Sequence, residues 1–221
     1  MRGGSVSTMP GTLLVVDHPL VANQLTQLRS SATDQVAFGR LASEITSRLA
    51  YEAFRELPTE LVSIDTPVAS GAMSLRVTTE VLLIPILRAG LGMIPALQAT
   101  LPVTRVCAVG LRRNEITLES EVYLDALPAS MTGAKVVICD PMLATGGSLV
   151  TVADMAVARG ADDLTVLTLL SSAPGIERFH ASHPEVRVVT AAVDAELNEQ
   201  GYIVPGLGDA GDRLFGAPVR P

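Results

Sequence analysis

Long aliphatic segments recur at regular spacing between residues 81 and 190 and restrict the fold more than any other feature. In chain order they are Val81–Leu87, Val103–Val109, Lys135–Cys139, Leu164–Leu170 and the weaker Glu185–Thr190. Strands buried on both faces are typically unbroken apolar runs, because helices cover each side of a parallel sheet. Helices are predicted between them, over Leu91–Thr100, Ser148–Arg159 and Gly175–Ala181. The spacing predicts an α/β fold whose parallel sheet has helices on both faces.

Amphipathic helices are predicted ahead of this sheet. Ala37–Leu57 carries apolar side chains every three or four residues and is followed by Pro58, which favours a helix that stops there. A shorter helix is predicted over Pro19–Arg29. The shorter, Pro- and Gly-interrupted pattern of Leu61–Val77 predicts a peripheral hairpin or paired strands.

Composition indicates one globular domain. Of 221 residues, 48% are hydrophobic and 18% charged. Residues 1–10 are rich in Gly and Ser and lack the apolar segment of a signal peptide, so we interpret them as a flexible extension before a single domain over 11–221. No apolar stretch approaches the roughly 18 residues that cross a bilayer. The net charge of −7 argues against nucleic-acid and membrane partners.

The two cysteines, Cys107 and Cys139, both lie in apolar runs and do not form a C-x-x-C pair. Buried, reduced thiols are therefore predicted rather than a disulfide or a metal site. Such thiols are typical of a cytoplasmic protein.

Polar residues follow the predicted strands. Arg88 follows the first run, Arg112 and Arg113 the second, Asp140 the third and Ser171 with Ser172 the fourth. Ligands of open α/β sheets bind beyond the carboxyl ends of the strands. This edge is therefore predicted to bind a phosphorylated, hydroxyl-bearing ligand.

The segment Asp140–Ser148 has the features of a phosphate-binding loop. It leaves a predicted buried strand and enters a predicted helix near Gly147, so the amides of Ala144–Ser148 are expected at a helix N-terminus, where anions bind. Asp140 would repel phosphate and is interpreted as an acceptor for sugar hydroxyls. The alternative is an ordinary βα turn capped by Ser148. Neither a Walker motif nor a dinucleotide glycine motif is present.

Two arginine segments each have two interpretations. Arg88, between an aliphatic strand and a Gly-rich helix start, either contacts a phosphate or forms a salt bridge at the rim. The position of Arg113 after a predicted strand favours a ligand contact for this residue. Arg112 and Glu115 are also typical of a solvated face.

The C-terminal segment from Tyr202 to Arg213 is too rich in Gly for a predicted helix or strand and too apolar for a free tail. A fixed, exposed backbone there would suit the edge of a planar heterocycle. The alternative is a loop packed on the core.

Six segments resemble those of uracil phosphoribosyltransferases of the type I phosphoribosyltransferase class, in order from about His18 to Gly216. They are Asp17–Leu20, Tyr51–Ala53, Pro85–Met93, Asp140–Ser148, Leu197–Glu199 and Gly206–Arg213. The resemblance implies a Rossmann-like phosphoribosyltransferase fold with N-terminal helices and a small C-terminal hood, about 192–221, that binds the base. It implies synthesis of UMP and diphosphate from uracil and 5-phosphoribosyl 1-diphosphate, with Mg²⁺. It also implies a homodimer or larger oligomer, and some members of the family are activated by GTP.

The resemblance also implies roles for individual residues. Uracil would be bound by Ile203, Gly208, Asp209 and Ala210. The donor would be bound by Arg88, Arg113, Asp140, Pro141, Met142, Leu143, Ala144, Thr145, Gly146, Gly147, Ser148 and Asp209. The catalytic candidates are Arg88, Arg113 and Asp209, and Mg²⁺ would be held mainly by the donor diphosphate and water. Arg112 stands where the family usually has an aromatic residue.

Two other functions fit a nucleotide-binding fold. One is an RNA-binding regulator that senses uridine nucleotides, although the acidic charge disfavours it. The other is a catalytically idle nucleotide-binding scaffold.

Overall fold

The computed structural model describes residues 13–101, 104–113 and 120–217. The predicted extension over 1–10 lies outside these ranges. The strands are β1 Leu13–Val15, β2 Thr59–Thr66, β3 Ala69–Val77, β4 Val81–Leu87, β5 Thr104–Val106, β6 Val109–Arg113, β7 Ser120–Asp125, β8 Lys135–Cys139, β9 Met142–Leu143, β10 Asp163–Thr168, β11 Leu170–Ser172, β12 Arg187–Thr190, β13 Val193–Asp194, β14 Glu196–Leu197 and β15 Ile203–Val204. The α-helices are α1 Pro19–Arg29, α2 Gln35–Ala53, α3 Ile94–Thr100, α4 Gly147–Val157, α5 Ala173–Ser182 and α6 Ala210–Phe215, and a 3-10 helix spans Ala89–Met93.

The central sheet confirms the predicted architecture. Its order is β1-β12-β10-β8-β4-β6-β7, and β5 also pairs with β4. Every pairing in it is parallel except that of β6 with β7. Alternate residues of β4 enter different cores: Val81 and Leu83 pack with α1, α2 and α3, whereas Leu82 and Ile84 pack with α4 and α5. Helices therefore cover both faces.

Two predicted strands are each divided in the structure. The pattern of Val103–Val109 predicts one strand, but β5 ends at Val106 and β6 begins at Val109, although both pair with β4 in the same register. Arg112 and Arg113 consequently lie within β6 and not after it, which corrects the prediction.

The second division places Ser171 and Ser172 inside a strand as well. The run Leu164–Leu170 ends at Thr168, and β11 joins a small parallel sheet with β9 and β13. The chain turns because the amides of Leu169 and Leu170 both donate to the carbonyl oxygen of Pro141, at 3.0 Å.

The N-terminal elements are those predicted, except that α2 ends at Ala53, four residues before the predicted Leu57. Helix α1 has the predicted bounds, and β2 and β3 form the predicted antiparallel hairpin. Helix α2 begins two residues before the predicted Ala37, because the Asp34 carboxylate accepts a hydrogen bond from the Ala37 amide at 2.8 Å. No helix in the described ranges is both long and apolar enough to cross a membrane.

The C-terminal segment differs from its prediction. It was expected to form neither helix nor strand, yet β15 pairs with β14 and α6 begins at Ala210. The Asp209 carboxylate caps α6 by accepting a hydrogen bond from the Asp212 amide at 2.8 Å, and this cap offsets the high Gly content.

Candidate active site

Three cavities adjoin at the carboxyl ends of β4 and β8, and Asp140 lines all three. The central cavity, about 260 Å³, is also lined by Arg88, Ser148 and Asp209. A second cavity, about 80 Å³, is lined by the loop from Met142 to Leu149 and is named the phosphate cavity after the ligand predicted for it. A third, about 240 Å³, is lined by residues of the C-terminal segment and is named the base cavity after the ligand that the resemblance implies. Asp140 therefore forms a wall common to all three cavities.

The phosphate loop, Asp140–Ser148, ends at the N-terminus of α4. Gly146 is the N-cap of that helix and has φ +80°, a conformation in which a side chain would be strained. The first amides of a helix have no partner within the helix, and its dipole favours an anion there. The small cavity against these amides has the character of an anion site.

Helix α5 holds the phosphate loop from outside. The Ser172 hydroxyl donates to the Ala144 carbonyl oxygen at 2.6 Å and accepts from the Gly175 amide at 2.9 Å. The Arg178 guanidinium donates to the Thr145 carbonyl oxygen at 3.3 Å. Sequence reasoning did not find Gly175 or Arg178, since both sit in an ordinary helical pattern, and it placed Ser172 only at the sheet edge.

Asp140 is partly buried between the three cavities. Burial raises the pKa of its carboxyl group to about 7, and the nearby negative charge of Asp209 adds to the rise, whereas the Met142 amide at 3.5 Å opposes it. The group therefore changes charge near neutral pH.

The structure places the arginines predicted at the edge of the sheet in different surroundings. Arg88 lines the central cavity and forms an ion pair with Asp212 at 3.2 Å, so the salt-bridge alternative describes its partner in this structure. Both side chains are more than 40% exposed, and such an ion pair contributes little to the stability of the fold. A phosphate can therefore replace Asp212 as the partner of Arg88 at a small cost in free energy. Arg112 pairs with Glu121 at 2.9 Å on the exposed β6–β7 ribbon, as the solvated-face alternative expects. The side chain of Arg113 and residue Glu115 lie outside the described part.

The residues that line the base cavity are mostly Gly and Ala, together with Tyr202. Ile203, Gly208, Asp209 and Ala210, which the resemblance assigns to uracil, all line it. Gly208 has φ +80°. Sequence reasoning missed Tyr202 and Gly201 as lining residues, although both lie in or next to the segment it singled out.

Almost all predicted site residues come together. Of the described ones, only Pro141 lines none of the three cavities; its carbonyl oxygen instead turns the chain between β10 and β11. Within the described ranges, no three His, Cys, Asp or Glu side chains converge as a metal cluster. The carboxylates of Asp140 and Asp209 both line the central cavity and have the hard oxygen atoms that Mg²⁺ prefers.

The parallel sheet, with a glycine loop after a central strand, has the phosphoribosyltransferase fold. A hypoxanthine phosphoribosyltransferase from Staphylococcus aureus shares this fold, with a TM-score of 0.51 at 12% identity over 79% of this chain and 82% of that one. The family model for uracil phosphoribosyltransferase matches residues 15–217. The chain belongs to the uracil phosphoribosyltransferase family.

Individual relatives agree with this assignment. A uracil phosphoribosyltransferase of Streptomyces griseus is 51% identical, covering 91% of this chain and 97% of that protein. The one of Streptomyces coelicolor is 50% identical, covering 93% and 98%. The structure of the AQ2163 protein from Aquifex aeolicus is similar with a TM-score of 0.88 at 31% identity, over 95% of this chain and all of that one.

Proposed function

We propose that this protein transfers the 5-phosphoribosyl group from 5-phosphoribosyl 1-diphosphate to N1 of uracil, giving UMP and diphosphate. The observation that carries the proposal is that a cavity at a helix N-terminus, a polar central cavity and a cavity lined mostly by Gly and Ala share Asp140 as a lining residue. The three cavities together would accommodate the 5-phosphate, the ribose with its diphosphate, and the base. We propose one catalytic domain over 11–221, with the hood over 192–221.

In this reaction the bond from N1 to the anomeric carbon forms as the bond from that carbon to diphosphate oxygen breaks. The electron pair of the broken bond leaves with the diphosphate, so neutralising that charge and holding the reactants in line supply most of the catalysis. Arg88 and Arg113 would bind the diphosphate. Asp140 would accept hydrogen bonds from the ribose hydroxyls, and Asp209 is the acceptor proposed for the N1 proton.

Magnesium fits this site as a partner of the donor. Asp140 and Asp209 offer carboxylate oxygens beside the central cavity, and the donor diphosphate and water would supply most of the ligands. The ion would add positive charge to the leaving diphosphate.

Selection of uracil over cytosine would come from backbone groups of Ile203–Ala210. Uracil presents a ring N–H donor beside a carbonyl acceptor, and cytosine reverses this pattern. A site arranged for one pattern leaves buried groups unpaired with the other, which costs binding free energy.

Incubating the protein with uracil, donor and Mg²⁺ and measuring UMP tests the proposal. UMP with an equal amount of diphosphate is expected. Failure to form UMP would refute the proposed transferase activity. Retention of RNA on a filter by the protein would then favour the alternative of an RNA-binding regulator. Binding of UMP without turnover or RNA retention would favour the idle scaffold.

Activation by GTP and a cytoplasmic location stay predictions. Adding GTP to the UMP assay measures the first of these.

The cation Arg178 is expected to strengthen donor binding. Asp140–Ser148 contains no basic residue, and the Arg178 guanidinium lies beside Gly147 and holds the Thr145 carbonyl oxygen. Arg178→Gln should raise the KM for the donor about 3- to 10-fold with little change in the KM for uracil, in keeping with one exposed charged hydrogen bond. Steady-state kinetics measure both; an unchanged donor KM would contradict the role.

We propose that the protein is a homodimer or larger oligomer that covers the β2–β3 hairpin with a second copy. Leu61 and Leu75 are paired across this hairpin, yet both are about two-thirds exposed, and Met73 and Val68 are also exposed. A two-stranded hairpin is marginally stable alone, so cover for this apolar surface is favourable. Leu75→Glu should lower the molar mass measured by light scattering to that of a monomer. A wild type that is already monomeric would contradict the proposal.

A further inference from the structure

An ion pair buried outside the three cavities holds the backbone of the C-terminal segment. The Arg29 guanidinium at the end of α1 contacts both carboxylate oxygens of Asp194, at 2.6 and 2.7 Å. Asp194 is 8% exposed and Arg29 22%. Burial alone would raise the pKa of Asp194, but the hydrogen bonds from Arg29 and Gly206 and the Arg29 charge keep it below its ordinary value. The pair is therefore charged at neutral pH.

Both partners of this ion pair hold the same residue, Gly206. Arg29 donates to its carbonyl oxygen at 2.8 Å, and Asp194 accepts from its amide at 3.0 Å. Gly206 has φ +64°, and a Cβ atom there would lie 2.0 Å from the Ile203 carbonyl oxygen. The residue is thus fixed by two charged hydrogen bonds and by close backbone contact.

The next carbonyl is fixed by a second arginine. Arg213 donates to the carbonyl oxygens of Leu207 at 2.9 Å and Leu28 at 2.7 Å, and its guanidinium lies 4.2 Å from the centre of the Phe38 ring. Gly206 and Leu207 belong to the four-residue segment Val204–Leu207 between Ile203 and Gly208, both of which line the base cavity. The N-terminal helices therefore fix the backbone between the two walls of that cavity.

We propose that Arg29 and Asp194 form a clamp that sets the position of the base-binding backbone and thereby the selectivity for uracil. Arg29 and Asp194 are positioning residues, because neither lines the base cavity. The proposal rests on the proposed function for its kinetic effect. Its structural part, the fixing of Gly206, holds for any ligand of this cavity.

The test replaces both charges together, because removal of one alone would leave the other buried and unpaired. Arg29→Met with Asp194→Leu removes both hydrogen bonds to Gly206 and leaves no buried charge. We expect the KM for uracil to rise about 10- to 100-fold, as small displacements in a site cost that much, while the KM for the donor stays within about 3-fold. The preference for uracil over cytosine in kcat/KM should fall about 10-fold.

Two further variants separate positioning from general loss of stability. Arg159→Met with Asp125→Leu removes another partly buried ion pair, between the turn that follows α4 and the last residue of β7, and should leave the KM for uracil within about 2-fold. Arg29→Lys keeps the charge but loses the planar fork, so an intermediate KM for uracil is expected. If the double variant does not fold, the KM of Arg29→Lys for uracil tests the proposal in its place.

A folded clamp variant with an unchanged KM for uracil would overturn the clamp. So would equal rises in both KM values, or the same rise in the control pair. If the wild type forms no UMP, the proposed function fails, but amide hydrogen exchange still tests the clamp. Exchange at Gly206 at least about 10-fold faster in the clamp variant supports it, and unchanged exchange overturns it.

Discussion

Gly175→Ala is expected to lower kcat/KM for the donor at least about 100-fold, because it displaces the phosphate loop from outside the site. A Cβ atom at position 175 would lie 2.1 Å from the Ala144 carbonyl oxygen and 2.9 Å from that of Leu143. Both neighbours are backbone atoms of the loop, so the loop and the start of α5 must move apart. Steady-state kinetics with donor as the varied substrate measure the effect.

Gly39→Ala is the matched control. Gly39 lies inside α2 with no atom within 4 Å of the added Cβ, so this change should stabilise the protein by about 0.5–1 kcal/mol and leave the kinetics unchanged. A Gly175→Ala variant with wild-type kinetics for the donor would contradict the packing of α5 against the loop.

Asp140→Asn is expected to weaken donor binding about 10- to 100-fold while stabilising the free protein at alkaline pH. The amide is a poorer acceptor for two ribose hydroxyls than a carboxylate. Titration calorimetry with the donor measures the loss. Unchanged affinity would refute the role proposed for Asp140.

The stability effect has a defined pH dependence. The pKa of the Asp140 carboxyl is about 7 in the folded protein and near its ordinary value of 3.8 when unfolded. Between these values the unfolded chain releases a proton that the folded chain keeps, so folding becomes less favourable as the pH rises, and the loss is complete above about pH 7. The amide of the Asp140→Asn variant does not titrate, so this variant should be about 1–3 kcal/mol more stable than the wild type at pH 8, with a smaller difference at pH 5. Urea unfolding at both pH values measures this.

The parallel sheet could be predicted because its strands carry strong apolar patterns. The strand Lys135–Cys139 and the helix Pro19–Arg29 have the predicted bounds, since turn residues or Pro punctuate them. The divisions after Val106 and Thr168 could not be predicted, because aliphatic residues continue across both. Hydrogen bonding to Pro141 turns the chain after Thr168, and such a contact leaves no local pattern.

In the site, most of the residues that line the cavities could be predicted from the sequence, whereas the residues that support them could not. The loop and the C-terminal segment could be recognised, because Gly, hydroxyl and acidic residues cluster there. Their supports could not: Arg29 and Asp194 lie 165 positions apart, and Gly175 matters only because Ala144 packs against it. Helix α6 was missed because three Gly residues near its start hid the capping role of Asp209.

Competition between bases tests the central proposal most directly. Equal concentrations of uracil, cytosine and hypoxanthine, with limiting donor and Mg²⁺, should give UMP as the product, with CMP and IMP below about 1% of it, since a site that pairs with one base edge rejects the others. Formation of no nucleotide, or of CMP or IMP at rates comparable to UMP, would contradict it.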